Sequence, residues 1–391
     1  MIKIIYELVR STYNMKKLIV FDPKYKQVKQ ILRERIQLGI YKEDQPIPSE
    51  YQLMQEFGVS RHTILKALSE LMGENIIYRI HGKGTFVSSR KKRLKKRVGI
   101  IVYHSENIYF SKIIKGAEGY IREKNYNLIL CNSLGSFENE TGYIERLISE
   151  VDGFIISSQY EKDIISEGLQ KLIEDGFPFV LVSHTPEIKK IDKIDFVVPD
   201  YFKGMYKLVN HLLENDYCNF IFVTVKTGLK RKEIWERING LKAALKEKGI
   251  SEKNLRIFTI TENDPINGYM EDALNNSTKI FELVKNDGKT CIVCSYDTIA
   301  IGIITGLRDR NIKIPETVGI TGFDDIRPLS NLGFKLTTVS IPLEEMGRKA
   351  AELLIEKIET ENTQPKQIIL PTTLKIRRTT KLEKKWEEVR I

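Results

Sequence analysis

The sequence predicts an α/β protein, with a small winged helix-turn-helix ahead of a larger region of two doubly wound lobes. Residues 24–89 contain three helical patterns and a hairpin, residues 98–380 alternate between strand and helix, and 391 residues exceed one ordinary core. We therefore expect an N-terminal extension, a winged domain, a basic linker, a two-lobed domain and a C-terminal tail. Their predicted bounds are 1–23, 24–89, 90–97, 98–380 and 381–391.

The distribution of charged residues also differs between the N-terminal part, residues 1–97, and the rest of the chain. Residues 1–97 hold 21 Lys and Arg against 9 Asp and Glu, although the whole chain has a net charge of only +10. The remaining residues are therefore close to neutral. A small basic domain beside a near-neutral one indicates that the first part binds a polyanion such as nucleic acid.

Apolar spacing and capping residues define the winged domain. Ser49 and Ser60 each stand where a hydroxyl can accept a hydrogen bond from the free amides of a helix's first turn. A Gly-rich stretch separates two short apolar runs, which predicts a hairpin. The predicted elements are helices over 25–38, 49–58 and 60–74, and strands over 76–80 and 85–87.

The third predicted helix has a basic end that carries hydroxyl groups. Arg61, His62 and Thr63 lie in its first turn and Lys66 follows about one turn later, whereas its apolar positions face a core. Such an end fits the major groove of DNA. For this stretch taken alone, an ordinary amphipathic surface helix is the alternative.

Four segments in this order resemble the GntR-type winged-helix DNA-binding domain: Pro48-Ser49-Glu50, 57–63, Lys66-Ala67-Leu68 and 82–87. The resemblance implies that the third helix enters the major groove and that the wing tip reaches the minor groove or the backbone. It also implies that the helix start at Ser49 holds a phosphate. The residues that it assigns to DNA are Lys24, Ser49, Glu50, Ser60, Arg61, His62, Thr63, Lys66, Gly82, Lys83, Gly84 and Thr85.

The basic run over 90–97 is interpreted as a solvated linker that also strengthens DNA binding by salt-sensitive attraction. Beyond it, two consecutive strand-and-helix sets of similar size predict two lobes with a ligand cleft at the strand carboxyl ends. The predicted strands are 98–103, 126–131, 154–158, 177–183, 196–198, 219–225, 256–261, 290–295, 318–323 and 368–377. The predicted helices include 110–124, 140–150, 199–215, 233–248, 268–285, 297–310 and 344–359.

This second region resembles the LacI/GalR effector domain, which has the periplasmic-binding-protein fold, through segments such as 98–101, 151–156 and 318–325. The resemblance implies a sugar cleft. Arg offers a planar donor fork, Asp accepts from hydroxyls, and aromatic faces cover the C–H side of a sugar. The residues assigned to the effector are Tyr109, Phe110, His184, Arg231, Arg237, Tyr296 and Asp324. Alternatively, Arg237 is a surface ion-pair residue, and Tyr109 and Phe110 fill the core.

The pairing of the two domains resembles the arabinose repressors. It implies a repressor of sugar-utilisation genes that binds double-stranded operator DNA as a homodimer, needs no cofactor and is released by a sugar, with L-arabinose favoured. A regulator that responds to another pentose or small metabolite is one alternative, and a sugar-binding protein of transport type is another.

Other sequence patterns restrict the class of protein to which the chain can belong. No apolar run reaches the roughly 20 residues of a membrane span, and no secretory signal is recognisable, so a cytoplasmic location is expected; Met15 is an alternative start. Cys131, Cys218, Cys291 and Cys294 are expected to be free thiols. The last two, spaced as in a metal or redox motif, fit a buried strand better. No phosphate loop or nucleophile triad stands out, so no enzyme activity is expected.

Overall fold

The computed structural model describes residues 23–88, 95–157, 160, 163–189, 191–261, 269–285, 287–326, 335–360 and 364–381. Most of the predicted extension (1–23), linker (90–97) and tail (381–391) lies outside the described residues. The chain divides into two compact units between Lys95 and Lys96.

The first unit is a winged helix-turn-helix, as predicted. Its elements are α1 (Lys24–Gln37), α2 (Glu50–Phe57), α3 (Arg61–Gly73), β1 (Ile77–Ile80) and β2 (Gly84–Val87). Ser49 caps α2 in a reciprocal capping box with Gln52, and Gly58 ends that helix in the left-handed conformation, with φ of 62°. Ser60 caps α3 through the amide of Thr63. These local signals are why the predicted helix boundaries hold.

The core of this unit lies between the three helices and one face of the hairpin. Its fully buried apolar side chains include Leu32 on α1, Leu53 on α2 and Ile64 on α3, while Ile77 and Val87 close it from the hairpin. The hairpin is antiparallel, and Ile77 lies opposite Val87 in its register. These shared contacts pack α3 against the hairpin.

The second unit contains two six-stranded sheets with helices on their faces. The elements of the first part are β3 (Arg97–Val102), α4 (Ile108–Glu123), β4 (Asn127–Asn132), α5 (Phe137–Leu147), β5 (Gly153–Ser157), α6 (Glu167–Asp175), β6 (Phe179–Val182) and β7 (Phe196–Pro199). The elements of the second part are α7 (Tyr201–Leu213), β8 (Tyr217–Val225), α8 (Lys232–Glu247), β9 (Leu255–Ile260), α9 (Met270–Phe281), β10 (Lys289–Cys294), α10 (Asp297–Arg308), β11 (Gly319–Asp324) and β12 (Thr337–Ser340). The chain closes with α11 (Leu343–Thr360), β13 (Gln367–Leu370) and β14 (Thr373–Lys375).

Each sheet is the core of one lobe. The first lobe has the strand order β4-β3-β5-β6-β7-β13, all parallel, and the second has β9-β8-β10-β11-β12-β14, where only β14 is antiparallel. The carboxyl ends of the parallel strands in each sheet point to one edge. Such an edge is where ligands of doubly wound sheets bind.

The prediction of two consecutive lobes is wrong in one respect, because the chain passes between the lobes three times. After β7 it enters α7, which packs on α8 of the second lobe; after β12 it enters α11, which packs on α4 of the first. The strand predicted to close the chain over 368–377 consists of two short strands around Pro371, which belong to different sheets. Strand and helix patterns reveal alternation but not which sheet a strand joins.

Helix α11 is docked on α4 by direct backbone contact. A Cβ added at Gly116 would lie 1.9 Å from the carbonyl oxygen of Glu344, and one added at Gly347 would lie 1.9 Å from that of Ile113. Only glycine fits at either position. The segment that leaves the second lobe is therefore fixed to the helix whose first turn carries Tyr109 and Phe110.

The four cysteines are free thiols, as predicted. Cys291 and Cys294 are fully buried in β10, and the described residues contain no His, Cys, Asp and Glu group that could hold a metal ion. The interpretation of this pair as core residues is therefore confirmed. Among the helices that the structure describes, none is both long and apolar enough to cross a membrane.

One buried carboxyl gives the first lobe a pH-dependent stability. Glu140 on α5 is fully buried and accepts a 2.5 Å hydrogen bond from the Ser166 hydroxyl. Burial raises the pKa of Glu140 to about 7 from an ordinary 4.5. Between these two values the folded chain binds more protons than the unfolded chain, so this group lowers stability as pH rises through that window.

The variant Glu140→Gln keeps the hydrogen bond and cannot ionise. We expect it to gain stability over the wild type between about pH 5 and about pH 8, by at most about 3 kcal/mol, measured by urea unfolding followed by circular dichroism. Glu138→Gln is the control, because Glu138 is an exposed carboxylate on the same helix. If the free energy of unfolding differed between Glu140→Gln and the wild type by the same amount at about pH 5 and at about pH 8, this expectation would be contradicted.

Candidate DNA-binding surface and effector cleft

The amino end of α3 forms an exposed basic surface. Arg61, His62 and Lys66 are exposed, and the hydroxyls of Ser60 and Thr63 lie 3.0 Å apart at the cap. The Lys66 ammonium lies 3.9 Å from the ring centroid of Tyr25 on α1. This contact leaves the ammonium at the surface but limits where it can reach.

Glu50 is the acidic member of this surface. Its carboxylate accepts a 3.1 Å hydrogen bond from Arg61 and another from Arg79 on β1. Hydrogen bonds from Arg79 and Arg61 hold the pKa of Glu50 below its ordinary value, against the opposing effect of burial. Glu50 therefore stays ionised beside the two guanidinium groups.

The wing tip exposes backbone and one lysine. Gly82 and Gly84 have positive φ angles of 74° and 119°, and Lys83 between them is exposed. Thr85 differs from the expectation, because its side chain is buried. It lies opposite Arg79 in the hairpin register, on the face that turns toward the helices, and its carbonyl accepts from the Ile47 amide. The Thr85 hydroxyl therefore does not face outward with the tip.

Two other assigned residues lie at helix starts. The Ser49 hydroxyl and amide are both engaged with Gln52, so Ser49 acts through the helix start that it caps rather than through a free side chain. Lys24 is exposed in the first turn of α1.

The second candidate site lies where the carboxyl edges of the two sheets meet. Arg237 of α8 is 1% exposed, and its guanidinium lies 4.6, 5.1 and 4.3 Å from the ring centroids of Tyr201, Tyr296 and Phe323. Burial opposes its charge, but Asp324 and the tyrosines more than compensate, so the pKa of Arg237 lies above its ordinary value. A fully charged guanidinium is thus enclosed by three aromatic rings.

Asp324, at the end of β11, is the counter-charge. Its Oδ1 lies 3.6 Å from Nη2 of Arg237, which is too long for a hydrogen bond. Among the residues that the structure describes, this oxygen and the Nε and Nη1 atoms of Arg237 are buried without hydrogen-bond partners. Burial raises the pKa of Asp324 well above its ordinary value, and Arg237 only partly offsets this. These unsatisfied donors and acceptor are suited to the hydroxyl groups of a bound polyol.

Asp297 fixes the backbone that carries Asp324. Asp324 has a φ of 110°, which is rare for a residue other than glycine. The Asp297 carboxylate accepts from the Ile326 amide at 3.0 Å and from the Thr338 hydroxyl at 2.6 Å. These two bonds hold the turn after β11 against β12.

The first lobe contributes Tyr109 and His184. The Tyr109 hydroxyl lies 2.7 Å from that of Ser183 and 3.4 Å from that of Tyr201, which comes from the second lobe. His184 lies 3.7 Å from Glu233 of α8, and burial lowers its pKa below the ordinary value. These contacts join the two lobes at the site.

The remaining assigned residues lie at its periphery. Phe110 is buried against Tyr103 and Tyr109, with ring centroids 6.0 and 5.2 Å away, so it supports Tyr109 from the core side. Arg231 precedes α8, is 5% exposed and donates to the Thr227 hydroxyl at 3.3 Å.

Four residues of the site were not identified from the sequence: Ser183, Tyr201, Glu233 and Phe323. Two had a usable signal. Glu233 precedes Arg237 by four residues and so lies on the same helix face, and Tyr201 follows the end of a predicted strand. Ser183 and Phe323 each end a predicted strand, but their contacts with side chains of other elements follow only from the fold.

Comparison with known proteins finds a match for each of the two domains. Residues 24–87 match the model of bacterial regulatory proteins of the gntR family, and residues 209–380 match the periplasmic binding protein-like domain. A LacI family transcriptional regulator from Enterococcus faecalis, solved with bound ribose, has a similar structure. It is 26% identical, with a TM-score of 0.60 over 73% of this chain and 98% of that chain.

Two curated relatives match most of the chain. The arabinose metabolism transcriptional repressor of Halalkalibacterium halodurans is 30% identical and covers 87% of this chain and 90% of its own length. The arabinose metabolism transcriptional repressor of Geobacillus stearothermophilus is 28% identical, and the match covers 86% of this chain and 92% of that protein. The predicted fold class is thereby confirmed, and so is the prediction of a regulator rather than an enzyme. The chain belongs to this family of transcriptional repressors and joins a gntR-family DNA-binding domain to a periplasmic binding protein-like effector domain.

Proposed function

We propose that the chain represses sugar-utilisation genes by binding operator DNA as a homodimer, and that L-arabinose in the cleft between the lobes releases it. The observation that carries the proposal is the enclosed Arg237–Asp324 pair, three of whose polar atoms have no hydrogen-bond partner within the described part of the chain. A repressor of this kind acts where the DNA is, so we place the chain in the cytoplasm.

DNA contacts are assigned from exposure and position. Arg61, His62, Thr63 and Lys66 enter the major groove, since they lie at the exposed end of α3. The residues assigned to the DNA backbone are Lys24, Gly82, Lys83 and Gly84, together with the helix start capped by Ser49 and the α3 start capped by Ser60. Thr85 contributes no side-chain contact in this proposal.

The charges of the cleft favour an uncharged, hydroxyl-rich ligand. Two arginines, Arg231 and Arg237, and two acidic side chains, Glu233 and Asp324, are buried around it and offer both donors and acceptors to hydroxyl groups. Tyr296 offers a ring face 5.1 Å from the Arg237 guanidinium, Tyr109 offers a hydroxyl from the first lobe, and His184 offers a ring whose pKa burial lowers. A pentose supplies both the hydroxyls and an apolar face. The relatives' names and the ribose-bound structure support a pentose, and L-arabinose before the others.

Release of DNA requires only that the sugar prefers one arrangement of the lobes. A ligand that contacts both Tyr109 of the first lobe and Arg237 of the second stabilises the closed arrangement. If the operator favours the other arrangement, each ligand weakens the binding of the other. A hundredfold effect needs a coupling of about 2.7 kcal/mol.

The direct test is a gel-shift titration on DNA fragments from upstream of pentose-utilisation genes. We expect retention of at least one fragment beyond random DNA, and its release by L-arabinose. Arg61→Ala should abolish specific retention and leave sugar affinity unchanged, because Arg61 lies only in the DNA-binding unit. No specific retention by the wild type would disprove the regulator, whereas retention that no sugar changes would disprove only the effector.

The sugar site is tested by Arg237→Ala and by Asp324→Asn, which preserves side-chain size. Each should weaken sugar binding in calorimetry by about 3 kcal/mol, roughly a hundredfold, because a charged hydrogen-bond partner is lost. Operator retention should persist without release by sugar. Arg122→Ala is the matched control, since Arg122 is an exposed arginine on α4. Unchanged sugar affinity in both site variants, with folding intact by circular dichroism, would refute this site.

The homodimer is proposed to form along the edge strands β4 and β9. Both strands end their sheets, and four apolar side chains on or beside them are 41–58% exposed. These are Leu130, Leu134, Ile257 and Met270. Exposed apolar groups beside unpaired strand edges favour association with another chain.

The double variant Leu130→Lys with Ile257→Lys should sediment as a monomer in analytical ultracentrifugation and bind operator more weakly, because one half-site contact is lost. Ile369→Lys is the control: Ile369 is 61% exposed on β13, the opposite edge of the first sheet. A double variant that remains dimeric would show that the chains pair elsewhere.

A further inference from the structure

Arg79 lies on the face of the hairpin that turns toward the helices. Side chains two apart on a strand share a face, so Arg79 points to the same side as Ile77, which is buried in the core. Arg79 is two residues nearer the wing tip, and its side chain is 50% exposed. It therefore extends beyond the edge of the core, toward the start of α2.

There it meets the carboxylate that also binds Arg61. One oxygen of Glu50 accepts from Arg79 and the other from Arg61, whose side chain is 68% exposed. The two oxygens belong to a single carboxylate, so the guanidinium groups are neighbours, although one comes from the hairpin and the other from α3. Each guanidinium has five N–H donors and uses only part of them on Glu50.

The charge of this cluster does not suit a purely structural role. Two guanidinium groups and one carboxylate leave an excess of one positive charge at the surface. Exposed ion pairs contribute about 0–1 kcal/mol to stability, so this arrangement adds little to folding. A phosphate backbone, in contrast, supplies the anion that two adjacent arginines lack, and arginine binds phosphate through a planar fork.

We propose that Arg79 is a further DNA-contacting residue, which binds a backbone phosphate beside the site of Arg61, and that Glu50 is the positioning residue that aligns both guanidinium groups. This inference rests on the proposed DNA-binding function and extends it. Helix α3, through Arg61, and strand β1, through Arg79, then contact adjacent points of the same DNA segment. An acidic residue in a DNA-binding surface repels phosphate by itself, and its benefit is the orientation of its two partners.

The experiment measures binding of the full-length chain to two duplexes at several salt concentrations. One duplex is selected by the wild type from a randomised pool, and the other has a random sequence. For Arg79→Ala we expect the slope of log K against log salt to fall in magnitude by about 1 on both duplexes, because one phosphate contact is lost. Arg79→Lys keeps the charge and should keep most of the slope.

Glu50→Gln separates positioning from simple charge. Loss of a negative charge should leave binding to the random duplex unchanged or tighter. Loss of alignment should reduce discrimination between the selected and random duplexes severalfold. Arg33→Ala is the matched control, because Arg33 on α1 also forms an ion pair, with Glu74 at the opposite end of α3. It should change neither slope nor discrimination, and circular dichroism should show every variant folded.

The possible failures are distinguishable. A wild-type chain that retains neither duplex would overturn the proposed function and this inference with it. A wild type that binds normally while Arg79→Ala keeps the wild-type slope would overturn the inference alone. A Glu50→Gln variant that discriminates like the wild type would refute the positioning role of Glu50.

Discussion

A guanidinium group enclosed by three aromatic rings needs a counter-charge, and the architecture of the effector domain supplies it from a distant strand. Arg237 is carried by α8, and Asp324 stands at the end of β11 in a left-handed conformation. Burial of such a pair is costly unless hydrogen bonds satisfy its atoms, yet one carboxylate oxygen and two guanidinium nitrogens have no such partner in the regions that the structure describes. The folded domain therefore accommodates the pair, and the remaining hydrogen-bonding atoms are available to a hydroxyl-rich ligand.

The chain crosses between the two lobes three times, and the effector site lies between these lobes. Tyr109 and His184 belong to the first lobe, whereas Arg237 and Asp324 belong to the second, so a ligand that contacts all four changes the balance between lobe arrangements. The crossing segment α11 is fixed to α4 by the Gly116 and Gly347 contacts. A change in the arrangement of the lobes is therefore accommodated by the segments that connect them, while α11 stays packed on α4.

The DNA-binding unit uses an opposite electrostatic arrangement. In the cleft, cations and acids are equal in number and buried. At the amino end of α3, one carboxylate serves two exposed arginines and leaves a positive excess. The first arrangement suits a neutral ligand, and the second suits a polyanion whose binding weakens with salt. The different charge of the two sites matches the different partners that we propose for them.

The sequence by itself determined the local elements, because their signals are local. Ser49 and Ser60 cap their helices and Gly58 ends one, as expected from residue type alone, and Arg237 and Asp324 come close together as the family resemblance implies. What only the tertiary structure decided depends on contacts between distant segments. These include the assignment of β13 and β14 to different sheets and the inward face of Thr85, which follows from the hairpin register. The same holds for Ser183, whose hydroxyl lies beside that of Tyr109 and whose backbone carbonyl accepts from the hydroxyl of Tyr201, a residue of the second lobe.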